Sequence, residues 1–179
     1  MPAARLILED GTVYEGESFG SADTSIGEVV FNTSLTGYQE ISTDPSYRFQ
    51  IVVMTYPHIG NYGVELAVAQ SAGPQVAGFV VRDAIAEPSS AHSEMSIGAY
   101  FEQHRIAAIA GLDTRALTRK IRNEGAMRGM ITTESRPTGE LLAEVRRAPS
   151  MSGLDLVHRV TTGDRYRFAA EVSGPAQKH

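Results

Sequence analysis

Apolar residues occur along the chain in short runs of strand length over the first half of the sequence. Residues 5–8 and 12–15 form two such runs, and residues 28–32 form a β-branched run. Residues 50–56 and 75–82 have almost no polar interruption, which is typical of strands that are buried on both faces. The early part of the chain is therefore predicted to be rich in β-structure.

From about residue 75 onward, runs of strand length alternate with runs that have helical spacing. Helices are predicted over residues 95–104, from Asp113-Thr114 to residue 124, and from Thr138 to a point before Pro149; strands are predicted over residues 106–110 and 127–132. Asp113 supplies an N-cap oxygen and Gly125 a C-terminal stop. This alternation predicts an α/β fold with a mixed, partly parallel sheet.

The loops carry recognisable turn residues. Asp10-Gly11 predicts a two-residue hairpin turn with positive φ. Residues 36–44 are predicted to form a short helix or irregular turn that ends at Pro45, and residues 64–72 a short helix. After Pro149 the sequence is typical of an extended segment followed by a linker, and the residues from about Val172 are expected to be mobile.

Composition and charge narrow the function classes. Hydrophobic residues make up 42% of the 179 residues, and the net charge is −5. The acidic balance argues against a nucleic-acid partner, and the basic residues of 115–128 are interpreted as a solvated helix face. No apolar run reaches the roughly 18 residues that span a membrane. The N-terminus lacks the apolar middle of a signal peptide, so we expect a cytoplasmic location.

Local motifs do not provide a complete catalytic set. The sequence has no cysteine, no nucleophile elbow, no Walker-type phosphate loop and no pair of histidines at helical spacing for a metal. Three segments could contribute to a site: residues 44–47, residues 56–61, and residues 36–40 with Glu40 as a possible base. The residues alone favour a structural role for each segment. Residues 44–47 are typical of a type I turn, and residues 56–61 of a packed loop that His58 and Asn61 stabilise. Residues 36–40 are typical of a capped helical turn with a solvated Glu40.

Several separate segments nevertheless resemble one protein family, in the same order. They are LEDGTVYEGESFG, the long run GEVVFNTSLTGYQEISTDPSYRFQIVVMTYPHIGNYG at residues 27–63, GFVVRD, GLDTRALTRKIRNEGAMRG and GLDLVHRVTT. Over about residues 5–165 the chain resembles the N-terminal domain of the small, glutamine-hydrolysing subunit of carbamoyl phosphate synthetase.

The resemblance implies a fold and a domain order. Residues 1–153 would form a three-layer β/β/α domain of the swivelling type, and residues 154–179 a C-terminal linker. A class I glutamine amidotransferase domain with a Cys-His-Glu triad would follow. It would pass ammonia to a large ATP-dependent subunit, which makes carbamoyl phosphate from bicarbonate for arginine and pyrimidine synthesis. Because the triad is missing from these 179 residues, the chain alone is expected to be inactive.

The resemblance also implies the site residue and the partners. Ser46 corresponds to the one glutamine-binding residue that the family has in this domain; no catalytic residue and no metal ligand are expected here. The domain would support the glutamine pocket and dock the amidotransferase domain to the large subunit. It would need no cofactor of its own, since ATP and a metal ion are used by the large subunit. The expected partners are that subunit, the amidotransferase domain and L-glutamine, with neither nucleic acid nor membrane.

Two alternatives belong to other function classes. Swivelling domains elsewhere carry a phosphorylated histidine, for which His58 would be the candidate, although its neighbours Pro57 and Ile59 offer a phosphate no cation. A free-standing interaction module is the other alternative. The sequence does not decide whether the chain is a fragment, a truncation or the product of a split gene.

Overall fold

The computed structural model describes residues 1–151 together with residues 160 and 161. Its larger sheet closes into a barrel. The barrel strands are β1 (Ala3–Leu8), β2 (Val13–Ser18), β3 (Ser25–Asn32), β4 (Gln50–Met54), β6 (Gly78–Val80), β8 (Ala107–Ala110) and β9 (Met127–Thr132), while β5 (His58–Ile59) and β7 (Asp83–Ala84) form a separate two-stranded ladder. The helices are α1 (Tyr38–Thr43), α2 (Ile97–Gln103), α3 (Thr114–Glu124) and α4 (Thr138–Arg147), and 3₁₀ turns span Pro45–Tyr47 and Leu66–Val68.

Hydrogen-bonded neighbours around the barrel follow the order β1-β2-β8-β6-β4-β3-β9, and β9 pairs back to β1. Strands β3, β4, β6 and β8 run parallel to one another, whereas β1 and β9 pair antiparallel with both of their neighbours. The predicted α/β class with a mixed, partly parallel sheet is confirmed. The three-layer swivelling assignment stays a prediction, because the sheet here closes on itself.

Strand β4 is buried on both faces, as its unbroken apolar sequence predicts. Ile51 and Val53 belong to the cluster that lines the barrel and includes Leu117 and Ile121 of α3. Val52 and Met54 face the other way, into a cluster with Tyr38 of α1 and with Ile97, Tyr100 and Phe101 of α2. A third cluster packs α4 on β1 and β9 through Leu141, Val145, Ile7 and Met130. The loops that carry the candidate site therefore rest on a fully packed strand.

The basic segment on α3 behaves as predicted. Leu117 and Ile121 are buried, whereas Arg115, Arg119 and Arg122 are exposed. Lys120 binds Asp10 at 2.7 Å and Glu124 at 3.0 Å. This face of the helix is solvated and partly paired, and nothing in it indicates a phosphate-binding surface.

Two predicted loop structures are wrong. The hairpin connection between β1 and β2 is a three-residue loop closed by hydrogen bonds from the Leu8 amide to Thr12 O and from the Gly11 amide to Leu8 O, both 2.9 Å. Only Gly11 of the Asp10-Gly11 pair has a positive φ, at 97°, as in a type I turn followed by a left-handed residue. Residues 64–72 contain only the 3₁₀ turn Leu66–Val68. The linker over residues 154–179 and the tail from Val172 lie outside the described residues, apart from 160 and 161.

The ion pair between Glu9 and Arg128 gives a pH-dependent contribution to stability. Arg128 donates its amide to Glu9 Oε1 at 2.9 Å and its Nε to Glu9 Oε2 at 2.8 Å. Burial raises the pKa of Glu9, but the hydrogen bonds and charge of Arg128 outweigh it, so that the pKa of Glu9 falls below its ordinary value of 4.5. A depressed pKa stabilises the fold above the pKa of the unfolded chain, and this stabilisation is lost as the pH falls through the folded-state pKa.

We therefore expect Glu9→Gln to lower the free energy of unfolding at pH 7 by roughly 1.5–3 kcal/mol, the range for a hydrogen bond to a charged group. The difference from wild type should shrink as the pH drops below about 4.5. Urea unfolding across that range measures it. Glu87→Gln, at an exposed residue, is the control and should change stability by no more than about 0.5 kcal/mol. A Glu9→Gln deficit that is the same at pH 3 and pH 7 would show that the charge is not involved.

Candidate functional site

Two of the three candidate segments, residues 36–40 and 56–61, follow parallel strands, and the third, residues 44–47, lies shortly before the start of β4. Strands β3 and β4 are parallel and end at Asn32 and Met54, so the chain leaves both strands at the same edge of the sheet. Residues 33–47 follow β3 and residues 55–75 follow β4. Direct hydrogen bonds and a ring stack join these two connections, which brings the segment around Tyr38 against the segment around Tyr62.

Ser46 lies on a turn whose backbone is fixed. Asp44 Oδ1 accepts from the Ser46 amide at 2.8 Å, and the Arg48 amide donates to Pro45 O at 3.2 Å, so the predicted turn is one turn of 3₁₀ helix. The Tyr47 hydroxyl accepts from Asn32 Nδ2 at 2.9 Å, which ties the turn to the end of β3. Ser46 itself is exposed, and its hydroxyl has no hydrogen-bond partner within the part of the chain that the structure describes.

Tyr62 caps the N-terminus of α1. Its hydroxyl accepts from the Gly37 amide at 2.7 Å and from the Tyr38 amide at 3.1 Å. The ring stacks on that of Tyr38 with centroids 4.1 Å apart, and the Tyr38 hydroxyl donates to Gly63 O at 2.7 Å. Burial raises the pKa of both tyrosines, so both hydroxyls stay protonated at neutral pH. The helical turn is as predicted, but its cap is an aromatic hydroxyl 24 residues away from Tyr38.

Gln39 and Thr43 complete the junction between the two connections. Gln39 is 1% exposed; its Nε2 donates to Glu65 O at 2.6 Å, and its Oε1 accepts from the Glu65 amide at 2.9 Å. Thr43 Oγ1 accepts from the Gln70 amide at 2.9 Å. Sequence reasoning missed both residues as structural contacts. The only sign in the sequence was that each is a polar residue inside a predicted helical turn. Such a sign cannot identify a partner as distant as Glu65, which lies 26 residues after Gln39.

Glu40 differs from its prediction. It is half-buried, and its Oε2 atom is buried without a hydrogen-bond partner among the residues described, so the prediction of a solvated glutamate is wrong. The oxygen lies beside the start of α1, because a Cβ placed on Gly37 would be 3.7 Å from it. Within the described segments Glu40 is not paired with an acid, a nucleophile or a cation, which leaves it without support as a catalytic base.

His58 lies on β5 with its side chain 59% exposed, and its Nδ1 is 3.4 Å from Asp83 Oδ2 on β7. The interpretation that the His58 and Asn61 side chains satisfy loop backbone groups is not what the structure shows. Instead, the Asn61 carbonyl accepts from the Ser89 amide at 3.0 Å and from Ser89 Oγ at 3.2 Å. A carboxylate beside His58 opposes a phosphoryl group, which weighs against the phosphotransfer alternative.

Three further features bear on the kind of site. The described residues contain no group of three His, Cys, Asp or Glu side chains that could hold a metal ion. None of the helices in the described ranges is long and apolar enough to cross a membrane. A cavity of about 730 Å³ beside Ile26, Phe49, Pro149 and Met151 is lined by none of the predicted site residues.

The described residues thus define a mixed α/β barrel domain with a loop cluster on which the Ser46 hydroxyl is exposed. The family model for the carbamoyl-phosphate synthase small chain, CPSase domain, matches residues 6–131, and the chain belongs to this family. It is 55% identical to the carbamoyl phosphate synthase small chain of Nostoc sp. over 169 residues, which are 94% of this chain and 43% of the relative.

Other relatives agree. The small chain of Rhodopirellula baltica is 50% identical over 158 residues, 88% of this chain and 41% of the relative. That of Methanopyrus kandleri is 49% identical over 170 residues, 93% of this chain and 47% of the relative. The chain therefore spans less than half the length of these relatives and matches their N-terminal part.

Proposed function

We propose that this domain is the N-terminal part of the small chain of a glutamine-dependent carbamoyl phosphate synthetase. In this proposal it supports the glutamine pocket through Ser46 and docks the amidotransferase part to the large subunit. The assignment to the swivelling class belongs to the same proposal. The main support for the proposal is the Ser46 hydroxyl, which is exposed and has no hydrogen-bond partner among the described residues. It lies on a turn whose backbone is fixed by a hydrogen bond to Asp44, in a chain that belongs to the small-chain family.

The chemistry of Ser46 suits glutamine. A hydroxyl both donates and accepts, and L-glutamine carries amide, ammonium and carboxylate groups that need both. Proline at position 45 fixes its own φ, and Asp44 holds the Ser46 amide, so the hydroxyl is presented without loss of loop entropy on binding. Since the turn belongs to a loop cluster outside the barrel, a neighbouring domain can approach it.

The remaining parts of the reaction belong to other polypeptide regions in this proposal. Class I amidotransferase chemistry needs a cysteine thiolate, and these 179 residues contain no cysteine. The isolated chain is therefore expected to release no glutamate from glutamine. ATP, its metal ion and bicarbonate would be used by the large subunit, whose carbamoyl phosphate serves arginine and pyrimidine synthesis.

A competition assay tests the docking role. The competitor is residues 1–179, and the labelled ligand is a complete small chain, defined as residues 1–179 joined to the C-terminal remainder of the Nostoc relative. We expect the unlabelled domain to displace the complete small chain from an immobilised large subunit at concentrations up to several hundred micromolar. An unrelated domain of equal net charge serves as the control. No displacement by the folded domain at these concentrations would contradict the docking role.

A further inference from the structure

The turn that carries Ser46 is too short to fix its own position. It is a single 3₁₀ turn of three residues, Pro45–Tyr47, and none of them is buried. Ser46 itself is bound through its amide, which donates to Asp44 Oδ1 at 2.8 Å. The direction of its side chain therefore depends on how the backbone on either side of the turn is anchored to the barrel.

Asn32, the last residue of β3, supplies one anchor. Its Nδ2 donates to the Tyr47 hydroxyl at 2.9 Å, and its Oδ1 accepts from the Ser34 amide at 2.7 Å. Its backbone carbonyl accepts from the Thr55 amide at 3.1 Å, and its Cα pairs with that of Met54 in β4. The Asn32 side chain is thus held at both of its polar atoms on a backbone that belongs to the sheet.

Tyr47 connects this anchor to the turn. Its ring packs against the apolar cluster that contains Tyr38, Val52 and Met54, and its hydroxyl binds Asn32, 15 residues earlier in the chain. A tyrosine that is packed along its ring and hydrogen-bonded at its tip has few alternative positions. Because Tyr47 directly follows Ser46, the same contacts restrict the backbone that carries the Ser46 hydroxyl.

The chain is also constrained where it leaves the turn. Phe49 has a φ of 65°, a left-handed conformation that is unfavourable for a bulky residue. Its carbonyl accepts from the Glu28 amide at 3.1 Å, and Arg48 Nη1 donates to Gln75 Oε1 at 2.7 Å. Backbone strain of this kind persists where the surrounding contacts impose it, and it is concentrated at functional sites. The backbone is therefore held on the C-terminal side of Ser46 as well.

We propose that Asn32 and Tyr47 are positioning residues for glutamine binding, and that the hydrogen bond between them holds the Ser46 hydroxyl in the orientation that the substrate needs. This inference rests on the proposed function of Ser46 and adds two residues to it. Neither residue has to touch glutamine. Loss of their hydrogen bond frees the turn to shift, and a displacement of about 1 Å is enough to weaken an oriented contact.

Kinetics of the complete small chain with the large subunit test the proposal. Tyr47→Phe keeps the ring and removes the hydroxyl. It should raise the Michaelis constant for glutamine roughly three-fold or more, up to the effect of Ser46→Ala, with kcat and the ammonia-driven rate nearly unchanged. Asn32→Asp should have a smaller effect, because the Tyr47 hydroxyl can donate to the carboxylate and the acceptor for the Ser34 amide is kept. Tyr14→Phe, at a partly buried tyrosine of β2, is the control and should change the constant less than about two-fold.

A double substitution separates positioning from a general structural role. In the Ser46→Ala background, Tyr47→Phe should raise the Michaelis constant little further, because no hydroxyl remains to be positioned. Effects that multiply in the double variant would show that Tyr47 acts independently of Ser46 and would overturn the proposal. Equal losses of the glutamine-driven and ammonia-driven rates in Tyr47→Phe would overturn it too. If Ser46→Ala raises the constant and Tyr47→Phe does not, only this inference fails; if Ser46→Ala has no effect, the proposed function fails with it.

Discussion

Gly16→Ala is expected to destabilise the domain by about 3 kcal/mol or more, because the substitution forces strands apart where the barrel closes. A Cβ on Gly16 would be 2.2 Å from the Ala110 carbonyl oxygen and 2.6 Å from Leu112 Cδ1. Neither neighbour can yield easily, since the first is backbone in β8 and the second is 2% exposed. Gly16 lies in β2, next to the Glu17–Ala110 pair that joins β2 to β8.

Thermal unfolding of the isolated chain measures this effect. A loss of about 3 kcal/mol corresponds to a fall of about 6–12 °C in the midpoint for a domain of this size. Gly139→Ala is the matched control: residue 139 lies in α4, and a Cβ there meets nothing within 4 Å. The control should be neutral or stabilising by up to about 1 kcal/mol. Equal midpoints for the two variants would mean that β2 and β8 are not packed as described.

Gly63→Ala should have an effect of similar size at the site. Gly63 has a φ of 72°, and an added Cβ would be 1.9 Å from Ser93 Oγ, 2.7 Å from Ser93 Cβ and 2.9 Å from Met95 O. The Gly63 carbonyl accepts from the Tyr38 hydroxyl, so moving this backbone also disturbs the tyrosine stack. Backbone strain of about 1–2 kcal/mol adds to the steric cost, for a total of about 3 kcal/mol.

Gly37→Ala shows how much of the Gly63→Ala effect comes from backbone strain and how much from steric clash, because Gly37 has a positive φ but no close neighbour. Gly37 has a φ of 83°, but the nearest atom to an added Cβ is Glu40 Oε2 at 3.7 Å, an ordinary contact distance. Its cost should therefore be limited to about 1–2 kcal/mol of strain. Urea unfolding gives both free energies, and near-ultraviolet circular dichroism reports on the stacked tyrosines. A Gly63→Ala variant no less stable than Gly37→Ala would contradict the packing around Ser93.

Local sequence patterns predicted most of the helices and strands. The N-cap at Asp113 accepts from the Ala116 amide at 2.9 Å, and Gly125 ends α3 with a φ of 93°. The apolar runs gave β3, β4 and β9 within a few residues. The closure of the barrel was not predictable in this way. It depends on pairings such as Arg5 with Thr132, between residues far apart in sequence, and no local pattern specifies them.

The candidate site was predictable to a smaller extent, for the same reason. The turn at Ser46 has a local cause in Asp44 and Pro45, but the residue's role came only from the family resemblance. The cap from Tyr62, the Gln39 contacts and the burial of Glu40 all depend on the connection after β4 folding over α1. Sequence reasoning treats each of these side chains alone, and therefore assigned Glu40 to solvent.

The central claim is that this domain supports glutamine binding in a carbamoyl phosphate synthetase, and Ser46→Ala in the complete small chain with the large subunit tests it most directly. Loss of one neutral hydrogen bond should raise the Michaelis constant for glutamine roughly three- to ten-fold. Carbamoyl phosphate synthesis from added ammonia should barely change, because ammonia bypasses the glutamine pocket. Unchanged glutamine kinetics would contradict this claim and leave Ser46 with only a structural role in its turn. Equal losses in the glutamine-driven and ammonia-driven rates would also contradict the pocket role, because they would indicate misfolding or lost docking.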